Sequence, residues 1–243
     1  MNLSTETREV LKNFSAINAN LVVRPGNVIS TMAETRTVMA SATVGENFSN
    51  EFGLYDLNEF LGAMGMFDDP ELIFSDDNLS VSIKQGKRSV KYYLSDITTL
   101  TSPSKPVVMP SSEVQLKLSA DDMASIRKAS SALGVNDMVI TPTGITVTDL
   151  DNATSNAFEL AVEMTSVPNE NFKFVLSIPN LKIIPGDYDV TLSSKLISQF
   201  KHQTKPVEYW IAVEKNSTIA YLTICLAMFL ENIIPPIPSE IIM

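Results

Sequence analysis

"LSTETREVLKNFSAI" (3–17) and "LSADDMASIRKASSAL" (118–133) are one pattern written twice. Each opens Leu-Ser, passes through acidic residues and continues as an amphipathic run. Ser4 and Ser119 suit the position before a helix, where a side-chain oxygen accepts from the first free amides. Acids in the first turn suit the positive end of the helix dipole. In the first copy Val10, Leu11, Phe14 and Ile17 form an apolar stripe, with Arg8 and Lys12 on the opposite face. In the second, Met123, Ile126, Ala129 and Leu133 form the stripe, and Arg127 and Lys128 lie opposite.

The repetition continues outward. "NLVVRPGNVIST" (20–31) parallels "DMVITPTGITVT" (137–148), each two β-rich runs about a Pro/Gly turn, so each reads as a hairpin. "TRTVMASATV" and "NAFELAVEMT" follow as alternating strands. "EFGLYDLNEFLGAM" and "FKFVLSIPNLKII" each read as a strand running into a short helix. "PELIFSDDNLSVSIKQGKRSVKYYL" and "GDYDVTLSSKLISQFKHQTKPVEYWIAV" each read as three strands with polar turns. The offset between halves is about 115 to 121 residues. The expected fold is α+β, two tandem β-α-βββ-α-βββ domains at 1–98 and 113–218. The Pro- and Ser-rich "TLTSPSKPVVMPSS" (99–112) is an extended connector between them.

Composition limits the function. The 243 residues carry a formal net charge of −10, which argues against a protein that coats nucleic acid indiscriminately. A local basic surface is still allowed, and the two repeated helices each offer one. A single cysteine, Cys225, excludes an intramolecular disulfide framework and fits a reducing cytosol. The N-terminus has neither the basic start nor the apolar run of a secretory signal. Catalytic signals are missing. The single histidine, His202, lies in "QFKHQTK" and reads as a solvated loop residue. "QGKRS" (85–89) has Val81 where a phosphate loop needs its first glycine, and "GAMG" (62–65) is no dinucleotide fingerprint. There is no Cys/His metal spacing. The pairs Asp68-Asp69, Asp76-Asp77 and Asp121-Asp122 sit where turns and helix starts use carboxylates.

Four blocks carry a family resemblance: "VLKNFSAIN" (10–18), "FGLYDLNEFLG" (52–62), "PGDYDV" (185–190) and "EYWIAVEKNST" (208–218). Together with the duplicated order, they make residues 1–218 resemble the DNA sliding clamps of large tailed phages, relatives of PCNA-type clamps. The resemblance implies a homotrimeric ring of six domains, with helices lining the hole and sheets outside. It implies no catalysis and no cofactor or metal. The ring would encircle duplex DNA without reading sequence and tether the replicative polymerase. An ATP-dependent clamp loader would place it, and late-transcription proteins are a further candidate partner. The setting would be the cytoplasm of an infected bacterial host.

By the same correspondence, Arg8, Lys12, Arg127, Lys128 and Lys182 would face DNA, Lys182 from the second short helix of the second half. The turn "KQGKRSVK" (84–91) reads as a solvated hairpin, with contact to DNA at a ring face as the alternative. Ring closure would pair "RSVKYYL" (88–94) with "AFELAVEM" (157–164) of a neighbour. That places Val90, Tyr92 and Leu94 against Phe158, Leu160 and Val162. Val107, Val108 and Met109 in the connector would line a pocket for partner peptides.

The last segment departs from this pattern. "IAYLTICLAMFLENIIPPIPSEIIM" (219–243) has 12 uncharged residues from Ile219 to Leu230, about 18 Å as helix against a bilayer core of about 30 Å. "MFLENIIPPIPSEIIM" resembles the start of the DedA family of membrane proteins. The simplest expectation is a junction of two genes. The competing one is a membrane-tethered interaction protein anchored by this tail.

Overall fold

The computed structural model describes residues 1–103, 105–167 and 171–219. The expectation for the apolar tail therefore lies outside the described residues, apart from the backbone of Ile219.

The first half runs α1 (Thr5–Ile17), β1 (Leu21–Val23), β2 (Gly26–Met32), β3 (Val38–Phe48), β4 (Phe52–Leu54), α2 (Leu57–Met64), β5 (Glu71–Phe74), β6 (Ser80–Gln85) and β7 (Arg88–Tyr93). The second runs β8 (Val114–Leu118), α3 (Ala120–Leu133), β9 (Asp137–Thr141), β10 (Gly144–Thr148), β11 (Phe158–Leu160), β12 (Met164–Ser166), β13 (Phe172–Ser177), β14 (Tyr188–Ser193), β15 (Ile197–His202), β16 (Val207–Ala212) and β17 (Thr218–Ile219).

Both long helices start as their sequences dictate. Ser4 Oγ accepts from the Thr7 amide at 3.2 Å. Ser119 and Asp122 form a reciprocal capping box, with Ser119 N donating to Asp122 at 2.9 Å and Asp122 N donating to Ser119 Oγ at 3.1 Å. α3 ends at Gly134, whose φ of 68° is left-handed and costs glycine nothing. The apolar stripes are buried as expected, except that Leu133 at the end of α3 is 38% exposed. It is the last residue of the helix, next to the Gly134 cap.

The N-terminus of α1 also holds a carboxylate. Glu46 on β3 accepts from the Ser4 amide and from the Thr7 hydroxyl. Burial alone would raise its pKa, but these hydrogen bonds outweigh burial and hold it below the usual value.

One seven-stranded antiparallel sheet, in the order β12-β8-β14-β15-β16-β3-β2, passes from the second half into the first at β16–β3. There Val207, Tyr209 and Ile211 pair with Ala42, Ala40 and Val38. The seam is part of the core: Val207 is 3% exposed, and Tyr209 and Ile211 are 0%. The remaining sheets are β11-β10-β9-β13-β17, β5-β6-β7 and β1-β4.

Four expectations fail locally. Residues 20–31 form no hairpin, because β1 pairs with β4 and β2 with β3, whereas β9 and β10 do pair as expected. "NAFELAVEMT" is not one strand: it breaks after Leu160, and β11 and β12 join different sheets. The second short helix of the second half is only a 3₁₀ turn, Ile178–Asn180. Pro179 removes an amide there, and Pro185 disfavours helical backbone at Ile184. Lys182 therefore lies beyond the turn rather than on a helix. His202 is buried, not solvated. Its Nδ1 accepts from the Thr204 and Lys205 amides, both at 3.2 Å, so the ring caps the β15–β16 turn.

Candidate nucleic-acid and subunit interfaces

The cationic faces of the two halves meet in one surface. Asn13 on α1 donates to the Lys182 carbonyl at 3.2 Å. Arg127 on α3 donates to the carbonyls of Leu181 and Ile183 at 2.9 and 3.2 Å. The 181–183 segment is thus gripped from both sides. Lys12, Lys182, Arg127 and Lys128 follow one another across the two helices and the segment between them. All four are exposed. Among the described residues none has a carboxylate within ion-pair distance.

Arg8 departs from that group. It is half-buried, donates to the carbonyls of Leu3 and Asp68 at 3.1 and 3.0 Å, and pairs with Asp69 at 3.4 Å. Its guanidinium fastens α1 to the α2–β5 loop, because the planar fork reaches three acceptors at once.

Each half has a free sheet edge. β7 is an edge of its three-stranded sheet, and β11 of its five-stranded sheet. Val90, Tyr92 and Leu94 are half-buried and turn toward the chain's own core, as do Phe158, Leu160 and Val162. Tyr92 donates to the Asp56 carbonyl at 3.1 Å and to Glu59 at 3.4 Å. Burial and the Glu59 charge push its phenol up to about 12. The outward residues of β7 are Ser89, Lys91 and Tyr93.

Val90-Lys91-Tyr92-Tyr93-Leu94 aligns with Val207-Glu208-Tyr209-Trp210-Ile211 on β16. Val207, Tyr209 and Ile211 are fully buried where β3 covers their edge. The equivalent positions on β7 are half-covered because no strand does so.

The connector forms one wall of a cavity of about 340 Å³. Val22, Met39, Pro103, Val107 and Trp210 supply its apolar lining, and Arg24 and Lys105 are among its charged residues. Val107 is placed as expected. Val108 and Met109 do not line this cavity, and Val108 is 80% exposed, since the extended connector turns alternate side chains outward. Trp210 also lines the cavity, a position that no local feature of the sequence indicates.

Asp56 and Asp187 serve the two helix starts. Asp56 caps α2, accepting from the amides of Asn58 and Glu59 at 2.9 and 3.1 Å. Asp187 accepts from the Ala120 amide at the start of α3 at 2.8 Å.

The sequence model described as "gp45 sliding clamp, C terminal" matches residues 115–215. Over 223 residues the chain is 31% identical to the sliding clamp of Vibrio phage KVP40, covering 88% of this chain and 99% of that one. It belongs to the phage sliding-clamp family. The sliding clamp of Escherichia phage RB69 is 29% identical over 228 residues, covering 90% of this clamp and 99% of its own length. That of Enterobacteria phage T4 is 26% identical over 225 residues, with 90% and 99% coverage. The fold of this clamp is that of PCNA. The PCNA2–PCNA3 complex of Sulfolobus tokodaii superimposes with a TM-score of 0.65 at 11% identity, covering 88% of this chain and 99% of that one. The A. fulgidus PCNA bound to the C-terminal region of FEN-1 gives 0.65 at 15% identity, with 89% and 98% coverage. Among the described residues no helix is long and apolar enough to cross a membrane.

Proposed function

We propose that three copies of this clamp close into a ring around duplex DNA and hold the replicative polymerase on its template. The observation that carries this reading is the unpaired cationic surface of Lys12, Lys182, Arg127 and Lys128, running across both halves of a chain whose net charge is −10. Repeated by threefold symmetry, that surface lines a hole. Phosphates passing through it meet charge without sequence information, so the ring slides. The acidic remainder repels DNA from the outside.

The free edges of β7 and β11 close the ring in this reading. Each subunit contact reproduces the β16–β3 seam, with Val90, Tyr92 and Leu94 becoming buried against a strand that includes Phe158, Leu160 and Val162. The cavity under the connector takes partner peptides on Val107 and Trp210. The clamp performs no chemistry. Its contribution is effective concentration: a polymerase that releases the primer end stays tethered beside it. An ATP-driven loader opens the ring, late-transcription proteins are further users of the same cavity, and the setting is the cytoplasm of an infected bacterium.

Encirclement is tested without a loader, because a linear duplex can be threaded from its ends. With a biotinylated duplex of about 30 base pairs, roughly 100 Å long at 3.4 Å per pair, the clamp should bind when the ends are open. It should lose most of that binding when streptavidin blocks both ends. Equal binding to open and blocked duplexes would mean a surface contact and no ring around DNA.

A further inference from the structure

The cavity under the connector has an unsatisfied donor in its wall. Trp210, the chain's one tryptophan, lines it and is 6% exposed. Its indole N–H is buried and has no acceptor among the described residues. A buried donor in that state is unfavourable, and an occupant that offers an acceptor relieves it. Val22, Met39, Pro103 and Val107 make the surrounding wall apolar. Of the two cations at the cavity, Arg24 is engaged by Glu51 at 3.4 Å and by Ser102 at 2.9 Å. Lys105 is exposed, with no carboxylate within ion-pair distance among the described residues. Glu208 also lines the cavity, but its carboxylate accepts from Gln199 at 2.8 Å. The site therefore suits an apolar segment that brings a hydrogen-bond acceptor and a negative charge.

The chain itself carries such a segment. β17 pairs with the start of β13, which fixes where the chain leaves the second half. Residues 220–243 follow in the sequence and lie outside the described residues. Fully extended, they reach about 80 Å, against a radius of gyration of about 18 Å for a compact chain of this length. Of residues 219–243, 17 are apolar, two are acidic (Glu231 and Glu240) and none is basic. That much apolar surface calls for cover, and its 12-residue uncharged run is too short to cross a bilayer. Within it, "ENIIPPIP" (231–238) has the chemistry the cavity suits. Glu231 matches Lys105, and Ile233, Ile234 and Ile237 match the apolar wall. Proline donates no hydrogen bond and interrupts both helix and sheet, which leaves nearby carbonyls available as acceptors. Proline-rich segments dock in aromatic-lined grooves in extended form.

We propose that residues 231–238 occupy the connector cavity of their own chain. A carbonyl of the segment accepts from the Trp210 indole, the isoleucines pack on Val107 and Met39, and Glu231 faces Lys105. The tail is then a built-in competitor, tethered at an effective concentration on the order of millimolar. A partner peptide enters only by displacing it, so weak partners are rejected. This regulatory consequence rests on the reading that partner peptides use the cavity; the docking of the tail does not.

The probe is a fluorescein-labelled peptide of residues 229–238, added to the full-length chain and read by anisotropy. I233D/I234D disables the tail by placing two charges in its apolar stretch. Thermal unfolding of each variant is the folding control. The disabled-tail chain should bind the peptide about tenfold or more tightly than the wild type, at every protein concentration. In that chain V107D and K105E should each weaken binding, and a peptide carrying E231K should recover binding to K105E. The single indole N–H resonance of the wild type should match that of the disabled-tail chain saturated with peptide, and differ from that of the disabled-tail chain alone. Equal binding by both chains, or binding by neither, overturns the proposal. Binding that V107D and K105E leave unchanged places the peptide elsewhere and overturns it too. A difference between the two chains that vanishes on dilution makes the occupant the tail of a second copy, and overturns docking within one chain. None of these results decides the ring, which the threaded duplex tests. The cavity reading fails separately, if a polymerase peptide does not bind the disabled-tail chain.

Discussion

Replacing Lys12, Lys128 and Lys182 with glutamate is expected to lower affinity for a linear duplex by about a hundredfold or more. A ring of three copies would carry nine of these substitutions. Binding through phosphate contacts follows counterion release, with a slope of about −0.9 per neutralised phosphate in log affinity against log salt. The variant should show both weaker binding and a shallower slope. All three lysines are exposed, so its unfolding temperature should match the wild type. Arg127 is left in place because its bonds to Leu181 and Ile183 hold the segment that presents Lys182. Arg8→Gln makes the contrast. Its guanidinium is occupied by Leu3, Asp68 and Asp69, so its loss should lower stability more than DNA affinity.

Tyr209→Ala is expected to destabilise the fold by about 3–5 kcal/mol, the range for deleting a large buried side chain. Tyr209 is fully buried in the seam between the halves. Its hydroxyl donates to Asn13 at 2.8 Å and accepts from the Ile184 amide at 3.2 Å. One oxygen thus ties α1 to the 181–184 segment and sets the cationic surface of the first half beside that of the second. Tyr209→Phe keeps the ring and orphans both partners, at about 1–3 kcal/mol. Burial raises the phenol pKa of Tyr209 and Tyr188, and pushes Tyr92 up to about 12. A raised tyrosine pKa means that the folded chain holds its proton more tightly than the unfolded one. Stability is then undiminished below the ordinary value of about 10 and falls as pH rises through 12. Denaturant midpoints across that window should drop for the wild type and drop less for Tyr209→Phe.

Much of this was legible in the sequence because the chain states its plan twice. Ser4 and Ser119, the acids that follow them and the stripes at Val10 and Met123 fixed both long helices. The repeat set out most of the strands around them, but not the pairing of β1 with β4 or the break between β11 and β12, which depend on contacts distant in sequence. Local chemistry sufficed there, since caps and apolar periodicity act within a few residues. Long-range contacts were not legible. Arg8 and Lys12 look alike on a helical wheel. Only the approach of the Asp68–Asp69 loop separates a structural guanidinium from a free ammonium. His202 reads as a polar loop residue until the amides of Thr204 and Lys205 fold back onto its ring. Lys182 reads as a helical residue, but the prolines at 179 and 185 do not permit that helix, and Asn13 and Arg127 hold its segment next to α1 and α3. Trp210 and Tyr93 occupy matching positions in the repeat, but nothing local shows that one is covered by the connector and the other lies open at an edge.

The most direct test of a ring is the mass of the full-length chain in solution, measured by sedimentation equilibrium over a concentration series. The account predicts a species of three times the 26.7 kDa chain mass that dissociates on dilution. A single species at the chain mass at every concentration, with the fold intact by circular dichroism, would contradict it.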